Sequence, residues 1–273
     1  MTASLPSRSV LSESRQAKML DELAEALRKT SKDELGAWGK GSAALFGRVT
    51  TRRVKNVGRL FKHVAIFVGK EIFGAFNAGK SGGFKGHAKG RVEIAKQAAV
   101  STGHDIWTSL STIASGIRSN PCDTAPVLVV TTLAFLAASG GPDGDGGVPD
   151  LDLMGGIGAH RSIFTHSILS GAAIETFLFA SAALVGIVHK HLRPDHDEIW
   201  DSIAANKDRY MIAVSRGASL GIAYHLFIDS TMDVNAYHGL PISMPMSGHE
   251  AIIGANAAAE AIDVGHKSRN GHD

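Results

Sequence analysis

A single cysteine, Cys122, in 273 residues excludes an internal disulfide framework. Aromatic residues are also scarce, at 6%, and prolines number 8 against 31 glycines. So few large rings and so many small residues suit closely packed helices better than a β-sandwich. No stretch alternates apolar and polar residues long enough to read as a surface strand. Val127–Val130 is β-like, but it sits inside a longer apolar run. No internal repeat is visible. The first residues are polar and lack an apolar h-region, so no secretory leader is expected.

What is present is a strong asymmetry of charge. The net charge is +2, yet residues 1–39 carry six Lys/Arg and six Asp/Glu, residues 40–96 carry thirteen and two, and residues 97–273 carry nine and eighteen. A basic block beside an acidic one is a statement about partners. The basic block seeks an anionic surface, lipid or nucleic acid, and the excess carboxylates of the last block suit cation binding.

Periodicity predicts an all-α fold of about seven helices. Leu20, Leu23 and Leu27 form a narrow apolar stripe in a helix over 10–36, with Gly36 as its stop and a protein partner or the rest of the chain as its cover. Val57, Leu60, Phe61, Val64, Val68, Ile72, Phe73 and Phe76 follow spacings of three and four, with Arg59, Lys62 and Lys70 off that stripe. This is a basic amphipathic helix of the kind that lies on an anionic membrane surface. A further helix is expected over 97–119. Residues 124–138 are an apolar run short for a membrane span, and 167–188 are long enough to cross a bilayer but carry Glu175 in the middle. Residues 210–228 form another apolar helix, and Ser247 with Glu250 marks the start of the last one.

The chemistry concentrates between Pro149 and Ser167, in PDLDLMGGIGAHRSIFTHS, and in His225-Leu-Phe-Ile-Asp229. Asp150 and Asp152 sit two apart after a glycine-rich loop, where both carboxylates can point the same way toward one metal or cap a helix. His160 and His166 are too far apart to share a helical face, so the chain must turn between them. His225 and Asp229 fall at i, i+4 on one face of an otherwise apolar helix. Carboxylate oxygen and imidazole nitrogen from separate short segments are what borderline divalent cations bind. Arg161 offers a guanidinium fork for an anion, and Glu175 is a candidate ligand or general base.

In order, PDLDL, HRSIFTHS and HLFID resemble the YdjM-like, LexA-binding, inner-membrane-associated metal-dependent hydrolases over roughly residues 122–250. The resemblance implies an all-α bundle with a metal site at helix ends, on the cytoplasmic face of the inner membrane or integral to it. It implies a divalent ion, zinc before manganese or magnesium, held by Asp150, Asp152, His160, His166, His225 and Asp229. Arg161 would then meet the scissile anionic group of a phosphoester, phospholipid or nucleic acid, attacked by metal-activated water. The family pattern also has a threonine–histidine pair ahead of the aspartates, where this chain has Cys122-Asp123-Thr124. The organisation expected is a basic helical region over 1–120, a hydrolase-like domain over 121–264 and a polar tail over 265–273. Two other readings compete: a non-catalytic membrane adaptor or effector, and a nucleic-acid binder through residues 40–96.

Overall fold

The computed structural model describes residues 12–80, 89, 111, 114–141, 146–156, 161–231, 236–237 and 244–269. Among these all regular structure is helical, as the sequence predicts. The elements are α1 (Glu13–Lys29), α2 (Lys32–Lys80), α3 (Pro121–Ser139), a 3-10 helix (Pro149–Gly155), α4 (Ile168–His191), α5 (Ile199–Thr231) and α6 (Met246–Arg269). The helix expected over 97–119 falls largely outside the described residues.

The first boundary differs from expectation. The break between α1 and α2 falls at Thr30–Ser31, and Gly36 lies inside α2. The cause is a capping box: Ser31 Oγ accepts the Glu34 N–H at 3.1 Å, and the Ser31 N–H donates to Glu34 Oε2 at 3.0 Å. With the N-terminus of α2 secured, an interior glycine costs only about 1 kcal/mol and does not end the helix. α2 then runs 49 residues, roughly 70 Å, taking in the predicted amphipathic stretch. Similarly, the polar residues 199–209 and the apolar 210–228 form one helix, α5.

α3 packs most closely against α5, along Gly217 and Gly221, a small-xxx-small spacing that lets backbones approach. A Cβ on Gly217 would overlap the Thr131 carbonyl oxygen, and one on Gly221 would lie 2.8 Å from Ala138 Cβ. Ala138, Ala218, Ile222, Leu226, Tyr237, Ile253 and Ala257 form the core between α3, α5 and α6. At the other end of the α4–α5 hairpin, α1 docks through Ala26 against Val188 and Trp200. There the Arg15 guanidinium grips Asp197, with Nη2 2.6 Å from Oδ1, and holds its carboxyl down at about 2.

α2 is joined to the bundle by buried charge. Arg53 is fully buried and meets Glu175 of α4 at 2.7 Å, Glu260 of α6, and Asp263 at 3.3 Å. Arg52 adds contacts to Asp263 at 2.7 Å and Glu175 at 2.8 Å. Farther along, α2 leaves Phe61, Ile72, Phe73 and Phe76 exposed, with Arg59, Lys62 and Lys70 also at the surface.

α3, α4 and α5 are each long and apolar enough to cross a membrane, by length and composition. Their outward faces fit that reading: Val129, Leu133, Leu136 and Phe177 are exposed. Only 11% of the apolar stretch of α3 is covered by the rest of the chain.

Candidate metal centre

Ser139 of α3, His166 just before α4, His225 and Asp229 of α5 and Asp150 of the 3-10 helix come together, and α6 reaches the start of α4 through Asn256. Pro149 starts the 3-10 helix, whose tight turn aims Asp150 inward. Asp150 Oδ2 accepts the Gly146 N–H at 2.7 Å, which leaves Oδ1 facing two histidines. His166 lies two residues before α4, where Ser167 caps the helix by accepting the Leu169 N–H. His225 and Asp229 come from the last turns of α5, one helical turn apart as their spacing predicts.

Four ligand atoms converge. His166 Nε2 lies 3.4 Å from Asp150 Oδ1 and 3.5 Å from Asp229 Oδ2. His225 Nε2 lies 3.7 Å from Asp150 Oδ1 and 3.3 Å from Asp229 Oδ2. A tetrahedral ion with bonds of ~2.0–2.2 Å sets its ligand atoms about 3.3–3.6 Å apart. The four histidine-to-carboxylate separations are close to that spacing and longer than ordinary hydrogen bonds. Asp150, His166 and His225 each present an atom within 4.8 Å of the others, so together they can hold a metal ion.

The hydrogen bonding behind each histidine supports this. His225 Nδ1 faces the Ser139 carbonyl at 3.4 Å, and a carbonyl can only accept, which favours a proton on Nδ1. Nε2 is buried and faces two carboxylates, Asp229 Oδ2 at 3.3 Å and Asp150 Oδ1 at 3.7 Å. His166 Nδ1 meets the Thr165 hydroxyl at 3.1 Å, and that hydroxyl donates to Asp152 Oδ2, itself 3.4 Å from Nδ1. A buried imidazole nitrogen facing two carboxylates is satisfied by a proton, as an imidazolium–carboxylate pair, or by a metal cation held between them. The three aspartates and Arg161 leave a net charge of −2 with neutral imidazoles, which a divalent ion balances.

One predicted ligand stands elsewhere. Asp152 does not join the ring of facing atoms. Its Oδ2 accepts the Ser162 N–H at 2.9 Å and the Thr165 hydroxyl at 2.5 Å, so it orients His166 instead of ligating. The reason is the 3-10 turn: residues two apart there diverge, where an extended segment would have aligned them. His160 lies outside the described residues. Glu175 is also corrected as a candidate base: Arg52 and Arg53 hold it, and a carboxylate bound by two guanidiniums is a poor proton acceptor.

Arg161 is buried beside the site. Its Nη2 donates to Asp229 Oδ1 at 3.2 Å, turning Oδ2 toward the histidines. It is the one non-glycine residue among those described with positive φ, at 60°. Such a backbone costs about 1 kcal/mol or more and is kept where the surroundings demand it. Burial alone would raise the Asp150 carboxyl. The facing His166 and His225 imidazoles and the Gly146 N–H outweigh it, and the group sits below its usual range.

The supporting residues were not legible beforehand. Tyr237 donates its hydroxyl proton to the His166 carbonyl at 2.5 Å, and the Asn256 amide reaches that hydroxyl at 3.4 Å. Asn256 Oδ1 accepts the Ile168 N–H at 3.2 Å, tying α6 to the start of α4, while His249 Nδ1 accepts the Tyr237 N–H at 3.2 Å. No spacing links these residues to the aspartates, so no sequence signal marked them.

A second group, His189, His196 and Asp201, lies at the far end of the α4–α5 hairpin. Its contacts to Asp201 Oδ1, at 2.7 and 3.1 Å, are hydrogen-bond lengths, and Asp201 is exposed. Those are ordinary surface His–Asp pairs.

Comparison with family models, with curated proteins and with solved structures finds no match.

Proposed function

We propose that this chain is a membrane-associated, metal-dependent hydrolase of phosphoester bonds, with Asp150, His166, His225 and Asp229 as the metal ligands and zinc as the preferred ion. The observation that carries this is the set of four histidine-to-carboxylate separations, 3.3–3.7 Å, around a buried centre of net negative charge. Two imidazoles and two carboxylates are a borderline donor set, which favours zinc and accepts manganese. A divalent ion held there supplies an activated water and polarises a phosphoryl oxygen. Asp152 orients His166 through the Thr165 hydroxyl. Arg161 fixes Asp229 and places a guanidinium beside the ligands, where an anionic substrate group gains from it. The YdjM-like motif resemblance points to the same chemistry and to the cytoplasmic face of the inner membrane.

The test is metal analysis of the full-length protein purified in detergent. We expect close to one equivalent of zinc or manganese, lost on chelation together with hydrolysis of p-nitrophenyl phosphate and restored with it. A protein that neither retains nor rebinds a transition metal refutes the reading.

The exposed half of α2 supports a second contact with the membrane. Phe61, Ile72, Phe73 and Phe76 stand free of the bundle beside Arg59, Lys62 and Lys70. Apolar and cationic groups on one helix are what an anionic lipid surface binds. Each cation near such a surface contributes about 1 kcal/mol. Reversing Arg59, Lys62 and Lys70 to glutamate is therefore expected to abolish the salt-sensitive preference of α2, as an isolated peptide, for phosphatidylglycerol over phosphatidylcholine vesicles. Equal binding by the reversed peptide would assign the basic block to another partner, nucleic acid first, and the same peptides tested on an oligonucleotide decide that.

A further inference from the structure

The two segments that carry the metal ligands also carry an apolar rim. In the 3-10 helix, Asp150 and Asp152 turn inward while Leu151, Leu153 and Met154 are 56%, 44% and 88% exposed. In the turn before α4, Arg161 and His166 are buried while Ile163 and Phe164 are 37% and 71% exposed. Five large apolar side chains thus stand outward on two short stretches whose polar groups all face in. Exposed apolar side chains also occur along the helices, but these five flank the residues of the candidate centre in the chain itself.

The position of the rim identifies what meets it. The centre lies where α3 ends, α4 begins and α5 ends, and all three helices are long and apolar enough to cross a membrane. Helix ends of that kind sit at the headgroup level, with their outermost apolar residues among the upper acyl chains. A substrate in that position presents its phosphate at the depth of the ligands and its chains at the depth of the rim.

Charge separates lipid from nucleic acid. Arg161 is the only Lys or Arg between Pro149 and Ser167, one cation for a single phosphate and not for a run of them. A nucleic-acid channel needs a cationic groove that tracks successive phosphates, with aromatic rings for the bases to stack on. These walls offer aliphatic groups and one phenyl ring.

We infer that the substrate is a membrane lipid carrying a phosphate ester, with Leu151, Leu153, Met154, Ile163 and Phe164 receiving its apolar portion and the ligand cluster its phosphate. This rests on the hydrolase reading above and narrows it. Apolar contacts of this kind act through substrate binding, so they govern the choice of ester more than the bond-breaking step.

The experiment uses the full-length, metal-loaded protein in phosphatidylcholine vesicles that contain phosphatidic acid or phosphatidylglycerol. Glycerol 3-phosphate, p-nitrophenyl phosphate and a single-stranded oligonucleotide are the soluble competitors, and products are read by mass spectrometry. One of the two vesicle lipids is expected to turn over at least about ten-fold faster than glycerol 3-phosphate or the oligonucleotide. In a Met154→Ser/Phe164→Ser variant with unchanged metal content, the ratio of lipid to p-nitrophenyl phosphate turnover is expected to fall about ten-fold, chiefly through KM. A merely structural role for the rim would lower both rates together and leave the ratio alone. Preference for a soluble ester or for the oligonucleotide, or an unchanged ratio, overturns the assignment. A protein without metal and without p-nitrophenyl phosphate activity defeats the hydrolase reading itself; one with both but inert toward the lipids defeats only this inference.

Discussion

An Arg53→Ala variant is expected to lose about 3–5 kcal/mol of stability, because it strips the counter-charge from buried carboxylates and leaves them in place. Arg53 is fully buried, as are Glu260 and Asp263, and Glu175 is nearly so. The cluster holds two guanidiniums and three carboxylates, so removing Arg53 leaves Arg52 alone against three negative charges. Arg52 is 39% exposed at its side chain, and Arg52→Ala is expected to cost only about 1 kcal/mol. The comparison that isolates the mechanism is Arg53→Met with Glu260→Met. Replacing a buried pair by apolar groups of similar volume is close to neutral, so the double variant is expected to recover most of the loss. Chemical unfolding followed by helical circular dichroism reads all three. If Arg53→Ala unfolds with the wild-type midpoint, the cluster does not hold α2 to the bundle.

That cluster shows where reading the sequence stops. Arg52 and Arg53 belong to the basic block, which composition alone assigns to an anionic partner, and Glu175 belongs to an apolar helix, where an isolated carboxylate suggests function. Folding pairs them with each other and with Glu260 and Asp263, more than eighty residues further along the chain. A pairing over that separation has no local signature. What was legible is what local spacing controls. The i, i+4 relation of His225 and Asp229 survives because helix geometry fixes it, and the apolar runs 124–138 and 167–188 become α3 and α4. Asp150 and Asp152 were half legible: both face the site, but the 3-10 turn separates their tasks. The α1–α2 break is written in the sequence as Ser31-Lys32-Asp33-Glu34, a capping box, and Gly36 is the weaker signal of the two.

The largest effect on activity is expected at His225 and Asp229, and the contrast with Asp152 tests the division of labour. His225→Ala removes one inward nitrogen, and Asp229→Ala removes both an inward oxygen and the acceptor of Arg161. Either variant is expected to lose bound metal at stoichiometric concentrations and to lower kcat/KM by about 1,000-fold or more, since the activated water goes with the ion. Asp152 touches Thr165, the Ser162 N–H and the far side of His166. Carboxylates behind a ligating histidine typically contribute 10–100-fold in metal affinity or activity. Asp152→Ala is therefore expected to bind metal about 10–100-fold more weakly yet fill at high metal concentration, recovering much of its rate. Asp152→Asn is expected to fall between, because the amide oxygen can still accept from Ser162 and Thr165 while a neutral group supports the imidazole less. Titration of metal binding against rate for the four variants separates the roles. If Asp152→Ala cannot be filled at any metal concentration, Asp152 is a ligand and the ring of four is incomplete. If His225→Ala retains metal and rate, the separations around Asp150, His166 and Asp229 describe hydrogen bonding alone, and the centre is structural.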